Sequence, residues 1–189
     1  MRVALGFTPH SGWAAAVAVA GGPADPVVLD RRRLLLTDRE LPCQPYHEAA
    51  GLDPAVAAEL VAEAYLTAAA QAERGVGRLA GDLAAAGHEA TAAAVVAATG
   101  SVREDLPLPA VLAAHARLHA AEGELFRDVL LDAATARGLA VSLLSPRQVA
   151  AAGRGLLGPD RLTALGRPLG PPWTRDHKDA VVAALLAGA

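Results

Sequence analysis

Short apolar runs near the N-terminus give way to long alanine-leucine stretches farther along the chain. Residues 2–8 read as a buried strand, followed by a turn from Pro9 to Gly12. Residues 13–20, opening at Trp13, predict a second strand, and Gly21-Gly22-Pro23 a turn after it. Residues 27–36 predict a third strand with Asp30, Arg31, Arg32 and Arg33 at its centre. That much charge suits a sheet edge, where it blocks further pairing, and only one or two of the three arginines can share a face. The short turns imply an antiparallel meander.

The second part of the chain alternates. After a loop over residues 38–54, Asp53 is a good N-cap and Pro54 suits the first helical position. A helix follows over 54–74, reaching 86 if Gly75 and Gly77 do not break it. Residues 89–98, with Val95 and Val96, predict a strand that can pair in parallel with the first, because a helix precedes it. A helix over 107–137 ends at Gly138, a natural C′ position. Residues 139–144 predict a short strand, and Ser145 caps a short helix opening at Pro146. Five glycines and four prolines over 153–172 predict a loop, and residues 177–187 a last helix with Asp176 as its cap. Three strands and then alternating helix and strand give an α/β fold: a five-stranded mixed sheet flanked by helices. Without repeat or linker, residues 1–189 read as a single domain.

That order, together with three local motifs, resembles the ribonuclease H-like superfamily and within it the RuvC-type Holliday-junction resolvases. Leu5-Gly6-Phe7-Thr8-Pro9-His10-Ser11-Gly12 is similar to the family's first strand and turn. Residues 136–149 resemble its passage through the last strand into the next helix, and residues 176–184, with Asp176, Asp179 and Ala180, resemble its last helix. The resemblance implies a three-layer ribonuclease H-like fold, a nucleic-acid partner, and about four carboxylates holding two Mg²⁺ ions that activate a water for phosphodiester cleavage. It carries a metal-ligand role onto Asp176 and Asp179. Thr8 stands where the family has its first-strand Asp, and Ala97, Ala98 or Thr99 where it has a strand-four Glu. The acidic site is thus degenerate: hard oxygen ligands are what Mg²⁺ requires, and two of the expected four are missing.

Composition narrows the reading. Hydrophobic residues make up 53% and aromatics 3%, so the core is one of Ala, Val and Leu, and no stacking platform for single strands is expected. No apolar run reaches the roughly 18–20 residues a membrane span needs, and the N-terminal apolar residues read better as strands than as a signal peptide. A cytoplasmic protein is expected. The net charge of −3 argues against a protein living on nonspecific phosphate contacts. The single cysteine, Cys43, excludes an intramolecular disulfide and a Cys-rich zinc site.

Candidate chemistry gathers in four places. Thr8, His10 and Ser11 sit at the end of the first strand, where α/β sheets present binding loops, although a plain tight turn explains the same residues. Asp176 and Asp179 share one face of a first helical turn; they are either ligands or acids favoured by the helix dipole. His177 and Lys178 beside them suit phosphate or simply solvent. His115, His119 and Glu122, at i, i+4 and i+7, share a helix face that could ligate metal or be solvated, and Glu122 is also a substitute for the missing strand acid. Tyr46 and His47 lie in the long loop and either contact substrate or pack the loop down. Three functions stay open: a metal-dependent phosphodiesterase on nucleic acid, a noncatalytic binding or assembly module, and an enzyme on a small phosphorylated substrate. Alanine-rich helices also permit a homodimer.

Overall fold

The computed structural model describes residues 1–188, with Glu104 described by its backbone alone. The meander forms as expected: β1 Arg2–His10, β2 Trp13–Ala20 and β3 Val27–Leu35 pair antiparallel. Gly12 turns the first hairpin at φ 78°, a conformation that favours glycine. β4, Glu89–Val96, pairs in parallel with β1, and β5, Ala140–Leu144, in parallel with β4. The sheet order is β3-β2-β1-β4-β5, so the charged strand is an edge. Arg32 on one face of β3 reaches Asp30 and, at 2.8 Å, Asp82. Arg31 donates to the carbonyls of Gly170 and Pro172 beyond the other face.

Eight α-helices and a 3-10 turn at Arg167–Leu169 complete the described chain: α1 Pro45–Ala49, α2 Pro54–Ala85, α3 Val102–Asp105, α4 Leu108–Leu112, α5 His115–Thr135, α6 Pro146–Leu156, α7 Gly158–Leu165 and α8 Arg175–Ala187. Alternation along β1 assigns the layers. Val3, Leu5 and Phe7 pack with Ala72, Val76, Leu125 and Val129 of α2 and α5. Ala4 faces the opposite way, with Val17 and Val19, onto Ala180, Val181 and Ala184 of α8. Gly6 makes that approach possible, since a Cβ there would lie 1.9 Å from the Ala180 carbonyl oxygen. The last helix is thereby seated directly over the middle of the sheet.

Several expectations need correction. Gly75 and Gly77 do not interrupt α2. Glycine costs a helix only about 1 kcal/mol, and the buried stripe of Ala68, Ala72, Val76 and Leu79 outweighs it. The helix expected over 107–137 is two helices, because Ala114 is extended at φ −143° and ψ 125° with no Gly or Pro to signal it. The loop expected over 153–172 is largely helical. Gly153 lets α6 pack close to Val182, Gly158 turns the chain at φ 71°, and Pro159 starts α7 rather than breaking it. The N-cap of α8 is Thr174, not Asp176, which lies inside the first turn. Tyr46 belongs to no open loop; it is 3% exposed and part of the core.

Candidate functional site at the carboxyl end of β1

β1 carries two polar side chains toward the start of α8. Thr8 is buried, and its hydroxyl donates to the Asp176 carbonyl oxygen at 2.9 Å. That bond ties the strand end to the first turn of the helix. His10 extends one step farther and sets Nε2 3.3 Å from Asp176 Oδ2. The carboxylate of Asp176 thus faces an imidazole, while its backbone oxygen is held by Thr8.

A two-residue turn at Ser11-Gly12 places His10 opposite Trp13 across the hairpin. The two rings stack with centroids 4.3 Å apart and planes 12° from parallel. Arg33, from the neighbouring edge strand, lays its guanidinium 4.0 Å from the Trp13 ring centroid. Arg33, Trp13, His10 and Asp176 therefore form one continuous row across three strands and α8. By sequence, Trp13 stands only as the opening of β2 and Arg33 only as part of the charged edge strand, and neither as a site residue. The hairpin register was the available signal, since the shortest turn pairs its flanking residues.

Asp179 lies one turn along α8, with Oδ2 3.4 Å from Arg175 Nε. Partial burial pushes its carboxyl above the usual range, and Arg175 opposes that shift. His177 accepts the Thr174 backbone N–H at Nδ1, 3.0 Å away, and stacks on Trp173. Burial lowers its pKa, and the Arg31 charge lowers it further. Lys178 donates to the Thr163 hydroxyl at 3.1 Å.

A cleft of about 450 Å³ opens beside the row, lined by His10, Ser11, Ala97, His119, Glu122 and Glu124 among others. Glu122 turns away from Asp176, with Oε1 2.9 Å from His47 Nδ1 and accepting the His47 backbone N–H at 3.2 Å. Glu124 caps α3, accepting from the backbone of Val102 at 2.5 Å and Arg103 at 2.8 Å. Burial raises the pKa of Tyr46, which lines a separate cavity with Tyr65 and Arg103. Among the described residues, the only trio bringing ligand atoms within 4.8 Å of one another is His47, His115 and His119. Asp176, Asp179 and Glu122 do not converge into such a set. Among those residues, too, no helix is long and apolar enough to cross a membrane.

The five-stranded mixed sheet, with α2 and α5 on one face and α8 on the other, is a ribonuclease H-like fold. Two of the solved structures it resembles are of RuvC. One is T. thermophilus RuvC in complex with a Holliday junction substrate, 18% identical, with a TM-score of 0.52 and covering 98% of this chain and 91% of that one. A second, of Thermus thermophilus RuvC, is also 18% identical at a TM-score of 0.52, covering 97% of this chain and 91% of that one. No known family and no curated protein matches the sequence itself.

Proposed function

We propose that this protein binds branched nucleic acid across the carboxyl end of β1 and does not hydrolyse it. The observation that carries this is the row of Arg33, Trp13 and His10 beside Asp176. With the indole held between the two, the part-exposed His10 ring offers a base a stacking surface and the Arg33 guanidinium offers a phosphate a charge. Arg175, largely exposed, adds cationic surface near it, with Lys178 and His177 on the same helix. The net charge of −3 makes this a local strip, so binding is weak and sensitive to salt. A RuvC of the same fold was solved with a Holliday junction.

The donor set does not fit a two-Mg²⁺ centre. Mg²⁺ takes near-octahedral oxygen ligands. Here Thr8 replaces the first acid, Ala97 lies at the end of β4, Asp176 faces His10 and Asp179 faces Arg175. The degenerate acid set is therefore read as a binding surface.

Fluorescence anisotropy with a labelled four-way junction tests the reading. At low salt the expected Kd is around micromolar, and Trp13→Ala, which removes the ring that holds His10 and Arg33 in the row, weakens it about tenfold. Equal affinity in Trp13→Ala and Arg33→Glu removes the proposal. Cleavage products that appear with Mg²⁺ and vanish in Asp176→Asn/Asp179→Asn replace it with a metal-dependent phosphodiesterase.

A second reading has its own observation. The cleft bearing His10, Ser11, His119 and Glu122 has the size of a small-ligand pocket. An enzyme on a small phosphorylated substrate would use it. Phosphatase activity on a panel of small phosphomonoesters, lost in His10→Ala, would favour that reading over nucleic-acid binding.

A further inference from the structure

His115 and His119 stand one helical turn apart on the exposed side of α5, which puts both rings on one face. Their Nε2 atoms are 3.0 Å apart. His47, from α1 more than sixty residues earlier, leans over both, with ring centroids 5.3 Å from His115 and 4.5 Å from His119. Each of the three offers a ring nitrogen, and all lie within 4.8 Å of one another. Nitrogens around a tetrahedral zinc are roughly 3.3 Å apart, given bonds of about 2.0–2.1 Å. Small ring rotations close the set to that spacing.

Two further observations point to a ligand. Both ring nitrogens of His47 are buried and neither makes a hydrogen bond. Nδ1 comes within 2.9 Å of Glu122 Oε1, but out of line for its N–H. Glu122 itself is 3% exposed, and among the described residues no Arg or Lys pairs with it. A buried carboxylate requires a compensating charge. A cation held by the three imidazoles supplies one, and Nδ1–H turned onto Glu122 leaves His47 Nε2 free to ligate. That is the arrangement in which a carboxylate orients a metal-bound histidine.

We propose that His47, His115 and His119 form a zinc site, with Glu122 as the positioning residue for His47. Imidazole ligands suit a borderline transition ion and not Mg²⁺. Because His115 and His119 face solvent, the fourth position is open to water. The ion would clamp the short helix α1, and with it the segment leading to α2, onto α5. This site shares no residue with the row at His10, Trp13 and Arg33, though His10 and His119 line one cleft, and zinc binding and junction binding are read out separately.

Zinc titration of tag-free, metal-stripped protein by calorimetry tests it, with Co²⁺ absorption reporting tetrahedral coordination. The expected result is one equivalent bound, weakened at least about 100-fold in His115→Ala/His119→Ala and about tenfold in Glu122→Gln. Both histidines are exposed, so the double variant keeps the fold, which circular dichroism verifies. Zinc also raises the melting temperature of the wild type and leaves that of the double variant unchanged. No saturable zinc binding, or equal binding in the double variant, overturns the proposal.

Discussion

Two regions of this molecule hold the same kinds of side chain in opposite circumstances. At the start of α8, each acid faces a cation or an imidazole from its surroundings: Asp176 with His10, Asp179 with Arg175. Between α1 and α5, three imidazoles converge on one another beside a single buried carboxylate. The difference follows from packing. Gly6 lets α8 settle onto the sheet, which brings its first turn within reach of Thr8 and His10. The α1 segment instead rests on the side of α5, where His47 meets His115 and His119 and the Glu122 carboxylate. The lesson is that a ribonuclease H-like frame does not decide where metal chemistry sits; the partners of each ligand atom do.

The comparison breaks most severely at Gly6. Gly6→Ala drives a methyl into the Ala180 backbone, and a loss of at least about 3 kcal/mol is expected in urea unfolding. A near-neutral result would mean that α8 does not lie so close to β1. A smaller effect follows from Thr8→Val, which leaves the Asp176 carbonyl without its donor. About 1–2 kcal/mol is expected, and His10 should lose its register against Asp176, visible as changed His10 ring chemical shifts by NMR.

The pH dependence sharpens the α8 side. His177 has a pKa lowered below 6.5 by burial and by Arg31, and its Nδ1 accepts the Thr174 N–H. The unfolded chain therefore takes up a proton first. Stability is complete above about pH 6.5 and falls as the pH drops from there through the folded pKa. His177→Ala should flatten that slope in thermal melts; an unchanged slope would assign it to another group. The smallest effect is expected for Asp179→Asn. Burial works against its carboxylate more strongly than Arg175 favours it, so stability at neutral pH should stay level or rise by under about 1 kcal/mol after screening by solvent. A clear loss in differential scanning calorimetry would make the Arg175 pair stabilising after all.

Much of the frame was legible because it follows from local rules. Short apolar runs joined by tight turns gave the meander, the charged centre of β3 marked an edge, and Asp53-Pro54, Ser145-Pro146 and Gly138 marked helix ends. The failures came where tertiary contact overrides propensity. Gly75 packs under Leu34 within a continuous helix, and α7 forms in a stretch whose glycines and prolines are turn and start signals rather than a loop. In the site, Thr8, His10 and Asp176 could be placed together from the order of elements. Trp13 and Arg33 needed the hairpin register. His47 could not be joined to His115 and His119, because nothing local says which helix a short loop segment will rest on, and the pairing of Glu122 with His47 was hidden for the same reason.

The central claim is that the α8 acids do not form a Mg²⁺ centre. Calorimetric titration with Mg²⁺, comparing wild type with Asp176→Asn/Asp179→Asn, tests it most directly. The account predicts no saturable heat at millimolar metal in either protein. Saturable binding in the wild type that the double variant loses would contradict it.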